Sequence, residues 1–221
     1  MKDLSTTQEY MLCAMNEKGK ISGFDTNKLV CMVAAGLLEL QMAECIQLEK
    51  KKITVINSLP ESKSYLYPLY DFIDQGRPVK VEKIIEEYNY SFSDKKLKGF
   101  MGAVGDSLAD IGFVSITKTN GIIGKKKSYI PSREAVHYVI DMIRAELLED
   151  GEITEDIACL VVLLERSRII KTYFSAFEQK EIRQKLKEIM NSGAGQLVKY
   201  MIDYLDNTIA MMTALMVMYT D

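Results

Sequence analysis

The sequence predicts a mainly α protein: a single compact helical domain over residues 1–221, built around a buried central helix, with two small β-hairpins, one of them protruding. Three observations predict this fold. Apolar residues recur at helical spacing along most of the chain. Two pairs of short strand-like stretches each enclose a turn. The last helix, which opens at Asn207, is apolar on nearly every side, as is typical of a helix at the centre of a fold.

The first half of the chain begins with a capped helix. Thr6-x-x-Glu9 fits a capping box, and Gly19 is expected to end the helix. The elements predicted after it are a helix at 26–42, strands at 45–48 and 53–56, and a connecting segment near 57–80 that contains a short helix around 69–73.

The order of helix, helix and hairpin then occurs a second time. Gly99, Gly102 and Gly105 share one face of the helix before the second hairpin, where small residues allow close packing, and Gly112 is expected to end that helix. The predicted elements are helices at 81–88 and 93–109, a hairpin at 113–130, and helices near 136–147, 154–169 and 179–190 before the last two.

Composition limits the classes of function. The net charge of −3 and the pI of about 5.4 exclude a molecule that is basic as a whole, so any basic surface must be local. Four cysteines without a CxxC pair are expected to be buried reduced thiols. We expect no signal peptide, because Met1-Lys2-Asp3 leads directly into a capped helix. The longest apolar run, 209–219, is shorter than the ~20 residues of a membrane span. We therefore expect a cytoplasmic protein that contacts the inner face of a membrane only peripherally.

Enzymatic motifs are missing from the sequence. His137 is the only histidine, and no recognisable motif places a nucleophile beside it. No metal, nucleotide or organic cofactor is implied by any spacing of residues. We therefore expect a protein that is not an enzyme.

The second predicted hairpin, FVSITKTNGIIGKKKSYI, carries the main functional signal. Asn120-Gly121 is a pair that favours a tight hairpin turn. Two isoleucines follow that pair at once, and three lysines follow after Gly124. An apolar tip beside cations is suited to entering an anionic membrane surface. The residues concerned are Ile122, Ile123, Lys125, Lys126 and Lys127.

Several stretches, in the right order over residues 4–221, resemble the Golgi phosphoprotein 3 family, and the chain looks like a bacterial member. They are LSTTQEYMLCAMNEKGK, AAGLLELQMAECIQLE, SLADIGFVSI, LLERSRIIKTYFSAFE and IAMMTALMVMYTD. The resemblance implies a helical domain with a protruding hydrophobic hairpin. It also implies binding of phosphatidylinositol 4-phosphate and insertion of the hairpin into membranes, as in the family's eukaryotic members.

The resemblance also implies where a lipid headgroup would bind. The family's tryptophan falls at Phe24, an arginine on the second helix falls at Val33, and two later arginines fall at Lys98 and Met101. Because arginine's planar guanidinium binds phosphate oxygens two at a time, valine and methionine at these positions weaken the prediction of a specific phosphoinositide site. A looser anionic site is predicted instead at the start of the helix, formed by Lys95, Lys96 and Lys98.

Two other functions fit parts of the pattern. Helix, helix and a lysine-rich hairpin is also the arrangement of a winged-helix nucleic-acid-binding protein, although the acidic pI and the isoleucines at the tip argue against it. Alternatively, the chain is a protein–protein assembly module in which the exposed hairpin joins copies into a homo-oligomer.

Overall fold

A computed structural model gives the architecture of the chain. It describes residues 4–23, 25–49, 51–89, 91, 93–121, 124–149 and 153–191 together with 199, 203, 206 and 207, with the backbone alone at 119–121 and 124–126. Within these residues the fold is mainly helical, with two small antiparallel sheets. The predicted last helix, opening at Asn207, lies outside the described residues apart from its first position.

Helix α1 (Thr6–Ala14) is buried along its whole length and packs against several other helices. Its N-cap is Ser5, whose hydroxyl accepts from the Gln8 N–H while the Gln8 side chain accepts from the Ser5 N–H at 3.1 Å. The predicted capping box at Thr6 and Glu9 was therefore wrong by one residue. Ser5-x-x-Gln8 satisfies the same motif, and it leaves the side chains of Thr6 and Glu9 in the interior.

Helix α1 also ends earlier than predicted, at Ala14, because Met15 adopts extended backbone. The Asn16 side chain then accepts hydrogen bonds from the N–H groups of Lys18 and Lys20, which holds the following turn. Gly19 lies within that turn at φ +65° rather than at the end of the helix. An Asn that bonds to the backbone two residues on is a common start of a turn.

Helix α2 (Thr26–Met42) matches the predicted range and leads into a three-stranded antiparallel sheet. The sheet order is β1-β2-β3, with Ile46 opposite Val55 and Ile53 opposite Val79. The sequence predicted two of these strands; the third has only two residues, too few for a pattern to show. The strands are β1 (Ile46–Glu49), β2 (Lys52–Val55) and β3 (Val79–Lys80).

The connecting segment contains a 3₁₀ helix, Glu61–Leu66, which continues directly into α3 (Tyr67–Ile73). Two further helices, α4 (Val81–Asn89) and α5 (Lys95–Asp110), follow β3. Gly112, at φ +83°, ends α5 as predicted. Helix α5 packs on α1, α3 and α4 through Phe100, Val104 and Leu108, so its position is fixed by the core.

The second sheet is the predicted hairpin, formed by β4 (Val114–Gly121) and β5 (Gly124–Pro131). Four more helices are described after it; the first two pack on α1, the third packs on the second, and the fourth packs on the first and the third. These are α6 (Arg133–Leu147), α7 (Glu155–Arg166), α8 (Ile170–Tyr173) and α9 (Ala176–Asn191).

The interior holds all four cysteines as free, buried thiols, as predicted. Burial raises the pKa of the Cys31 thiol to about 12, so it stays protonated and unreactive at neutral pH. Among the described helices, none is long and apolar enough to cross a bilayer.

Candidate functional site

The hairpin β4–β5 leaves the core at Val114 and becomes exposed within one residue. Val114 and Tyr129 are buried, whereas Ser115 to Lys118 are exposed, and the side chain of Ile116 is 40% accessible. The hairpin therefore protrudes, as predicted. Ile122 and Ile123 lie outside the described residues, and for Lys125 and Lys126 the backbone alone is described.

The predicted turn at Asn120-Gly121 was wrong. Asn120 pairs with Lys125 and Gly121 pairs with Gly124, so both residues belong to the ladder of the hairpin. The pair favours a two-residue turn only when the flanking residues can face one another in the right register. Here the ladder instead continues through both residues, so they lie in β4 and not in a turn.

Tyr129 holds the base of the hairpin against α5. A Cβ added at Gly105 would lie 2.6–2.7 Å from three atoms of the Tyr129 ring, so the ring rests directly on the helix backbone. The close packing predicted from the glycine spacing is confirmed at Gly105, with a tyrosine rather than a second helix as the neighbour. Gly99, on the same helix, has open space around it.

The loop after α1 packs against the other side of Tyr129. A Cβ added at Gly19 would lie 2.2 Å from the Tyr129 carbonyl oxygen, so the backbones of loop and strand are in direct contact there. Strand β5 is thus enclosed between this loop and α5. Because Gly19 also has φ +65°, both its conformation and its surroundings require glycine.

Asp106 on α5 joins two side chains of the hairpin. Its carboxylate accepts from the Tyr129 hydroxyl at 2.9 Å and from the Lys127 ammonium at 2.9 and 3.1 Å. Burial, together with the bond to Asp106, raises the pKa of Tyr129 above its usual value. The predicted membrane-facing Lys127 therefore already has a carboxylate partner.

These contacts predict opposite results for two alanine substitutions on α5. We expect Gly99→Ala to stabilise the protein by about 0.5–1 kcal/mol, because alanine forms helix better than glycine and the position is open. We expect Gly105→Ala to destabilise it by about 1–3 kcal/mol, because the new methyl group would collide with the Tyr129 ring. Urea denaturation of the two variants measures both. Equal effects at the two positions would contradict this packing.

The three lysines predicted to bind a headgroup lie at the start of α5 in different environments. Lys96 pairs with Glu87 and stands 4.7 Å from the centre of the Phe72 ring, while Lys98 pairs with Asp94 at 3.1 Å. Lys95 is exposed, and among the described residues no carboxylate lies within ion-pairing distance of it. Lys95 is therefore the most available cation of the three.

The other family positions are mainly apolar and covered. Val33 is 2% exposed and belongs to the core, and Met101 is partly buried against it. Phe24 lies outside the described residues. Of the positions that the structure describes, only Lys98 presents a charge to solvent, which leaves the cations at the start of α5 as the basic part of the candidate site.

A second polar region, which sequence patterns did not indicate, lies near the C-terminal end of α2. Glu39 is 3% exposed and accepts hydrogen bonds from the Lys63 ammonium at 2.8 Å, the Tyr65 hydroxyl and the Thr7 N–H. Burial alone would raise the pKa of Glu39, but these donors outweigh burial and hold it below its usual value. Glu39 and Lys63 are 24 positions apart, so periodicity could not pair them.

Glu9 lies near this network and is 5% exposed, with no hydrogen-bond partner for its carboxylate among the described residues. Burial, followed by the charges of Asp156, Glu146 and Glu39, raises the pKa of Glu9 to about 8. A cavity of about 470 Å³ adjoins Glu39, Lys63 and Asp156. No group of three or more potential metal ligands comes together within the described part of the chain.

The only histidine, His137, is exposed on α6. With Arg133 it borders a cavity of about 490 Å³ at the base of the hairpin, whose walls include Met15, Ile130 and Val136. Arg133 reaches Glu17 at 3.6 Å. Within the described residues, no hydrogen bond or ion pair joins His137 to a serine, cysteine or carboxylate.

Comparison with known proteins identifies the family of this chain. No curated protein matches the chain. The model of the family described as Golgi phosphoprotein 3 (GPP34) matches residues 7–205, which is nearly the whole sequence. The chain therefore belongs to the Golgi phosphoprotein 3 family.

Proposed function

We propose that this protein is a peripheral membrane protein that binds anionic phospholipid through the hairpin β4–β5 and the lysines at the start of α5. The observation that carries the proposal is the exposure of the hairpin, whose strands leave the core at Val114 and whose return strand is rich in lysine. Membership of a family that is not an enzyme family agrees with a binding role.

The energetics favour weak and reversible binding. Full burial of each tip isoleucine contributes about 1.5–3 kcal/mol, and each lysine near an anionic surface about 1 kcal/mol. Lys127 contributes less than this, because Asp106 already neutralises it at 2.9 Å. Partial insertion of the two isoleucines together with these lysines therefore gives a total on the order of 5 kcal/mol, which is comparable to that of a single lipid anchor. Additional contacts from Lys95 and its neighbours would lengthen residence at the membrane.

The headgroup that this site prefers is set by charge rather than by fit. Val33 and Met101 cannot bind phosphate, and Lys98 lacks the planar donor pair of arginine. We therefore infer a preference for anionic over neutral lipid, without strong selection for phosphatidylinositol 4-phosphate over another lipid of equal charge.

Co-sedimentation with vesicles tests the proposal. We expect binding to mixed phosphatidylcholine–phosphatidylserine vesicles and little binding to phosphatidylcholine alone. The double variant Ile122→Asp, Ile123→Asp should lose at least about tenfold in affinity, because it removes the apolar tip and adds charge that the anionic surface repels. Vesicles in which phosphatidylinositol 4-phosphate replaces phosphatidylserine at matched charge should bind about equally.

The matched control is Ile56→Asp, Phe177→Asp, which changes two apolar side chains, 48% and 72% exposed, that lie just after β2 and in the first turn of α9 and so are not part of the hairpin. It should bind vesicles as the unsubstituted chain does. Absence of binding to both kinds of vesicle would refute the proposal. Light scattering of the hairpin variant and a duplex-DNA binding assay would then detect the assembly and nucleic-acid functions.

A further inference from the structure

Tyr129 is the point at which the hairpin, α5 and the loop after α1 meet. Its ring rests on Gly105, its carbonyl oxygen contacts Gly19, and its hydroxyl donates to Asp106. Among the hairpin side chains that the structure describes, only Val114 and Tyr129 are buried, and Tyr129 is 9% exposed. The elements in contact here carry the lysines of α5 on one side and the tip of the hairpin on the other.

The pairing of β4 and β5 fixes the two strands relative to each other, but it does not fix the direction in which the hairpin leaves the domain. The direction is therefore set at the base, where Tyr129 and Lys127 are attached to α5. Gly124 is five residues beyond Tyr129, about 17 Å along an extended strand. A tilt of about 15° at the base would move the end of the ribbon by about 4 Å, a distance comparable to the depth at which peripheral segments enter a bilayer.

Helix α5 is a rigid connection between Tyr129 and the lysines at the start of the helix. Gly105 and Lys98 are seven residues apart on one helix, about 10 Å along its axis, and that helix is held by the core. The cations at its start and the ribbon at Tyr129 consequently share one rigid support. Simultaneous contact of both with a flat membrane requires a particular angle between them, since linked contacts reinforce each other only when geometry allows both.

We propose that Tyr129 is a positioning residue that sets this angle, so that the hairpin tip reaches the bilayer when the lysines of α5 lie at its surface. This inference rests on the proposed function. Lys127 and Asp106 have a supporting role, because their ion pair attaches β5 to the same turn of α5 at a second residue, two positions nearer the tip than Tyr129. The residue acts through the hairpin and need not contact lipid itself.

The depth of the tip, rather than the affinity, is the measurement that isolates this role. The chain contains no tryptophan, so a single Ile122→Trp reporter can be read without background. It is mixed with phosphatidylcholine–phosphatidylserine vesicles containing brominated phosphatidylcholine, at lipid concentrations that bind all of the protein. Quenching of the tryptophan by bromine then reports insertion alone.

We expect Gly105→Ala, which displaces the ring, to reduce the quenching at least twofold, and Tyr129→Phe, which removes only the bond to Asp106, to reduce it by a smaller amount. Gly99→Ala, on the same helix, should leave it unchanged. Ile182→Ala, in the core of α9, controls for loss of stability and should also leave it unchanged. If Gly105→Ala does not fold, Tyr129→Phe alone decides the test.

Equal quenching in all variants would overturn the inference while the proposed function stands. Equal loss of quenching in Gly105→Ala and Ile182→Ala would also overturn it, because the effect would then follow stability. Vesicle binding by the reporter protein without any quenching would also overturn the inference. If the reporter protein does not bind vesicles at all, the proposed function fails and this inference fails with it.

Discussion

Replacing Lys63 by methionine is expected to destabilise the protein by about 2–3 kcal/mol at pH 7. Lys63 donates to Glu39, whose side chain is only 4% accessible, whereas that of Lys63 itself is 30% accessible. Removing one partner of a buried ion pair leaves the other charge without compensation, which costs about 3–5 kcal/mol when both are buried. The partial exposure of Lys63 reduces this figure, and Tyr65 and Thr7 remain as donors.

The cost is expected to shrink as the pH falls. With its donors in place, Glu39 has a pKa below its usual value, so its ionised form stabilises the native state above the unfolded pKa and this contribution is lost in acid. Without Lys63, burial dominates and the carboxyl takes up a proton more readily, which relieves the unpaired charge. Urea denaturation at pH 7.5 and pH 4.5 should therefore show a larger difference at the higher pH.

Lys98→Met is the matched control, because Lys98 and Asp94 form an ion pair in which both side chains are more than half exposed. Such a pair contributes about 0.2–1 kcal/mol at most. If Lys63→Met and Lys98→Met cost the same at both pH values, then Glu39 does not depend on Lys63 and the buried network described above is wrong.

Much of the fold could be predicted because its helices bury one face. The apolar spacing of α2 predicted both of its ends, and the prediction that Gly112 ends α5 was confirmed. The errors occurred where two local signals competed. Ser5 and Thr6 can each begin a capping box, and only the packing of α1 decides between them. Asn120-Gly121 favours a turn, but the pairing of β4 with β5 extends through both residues.

The candidate site was predictable only in part. The lysines and isoleucines of the hairpin could be read directly, but the contact between Lys127 and Asp106 spans 21 positions and depends on the angle between β5 and α5. The packing of Tyr129 on Gly105 likewise depends on that angle, although the glycine spacing indicated close approach at this helix face. The Glu39 network and the burial of Glu9 had no signal in the pattern, because charged residues ordinarily predict exposure.

Replacing Glu9 by glutamine is expected to stabilise the protein by about 2–3 kcal/mol at pH 7. The folded-state pKa of Glu9, about 8, lies above the ordinary value of 4.5 that applies to the unfolded chain. Between these values the native state holds a proton that the unfolded state has released. Native stability therefore falls as the pH rises from about 4.5 to about 8 and is not reduced further above that. Glutamine keeps the shape of the protonated side chain and does not titrate.

The two proteins should accordingly be equally stable near pH 4 and diverge steadily up to about pH 8. Urea denaturation at intervals across this range measures the divergence, and Glu17→Gln, whose side chain is 90% exposed, is the control that should show none. The environment of Glu9 makes the outcome specific. The charges that act on its carboxylate, Asp156, Glu146 and Glu39, are all negative, so ionisation is opposed by repulsion as well as by burial. If the free energy of unfolding of Glu9→Gln changed with pH in parallel with that of the unsubstituted chain, a cation would have to neutralise Glu9 in solution. The charge environment described for Glu9 would then be wrong.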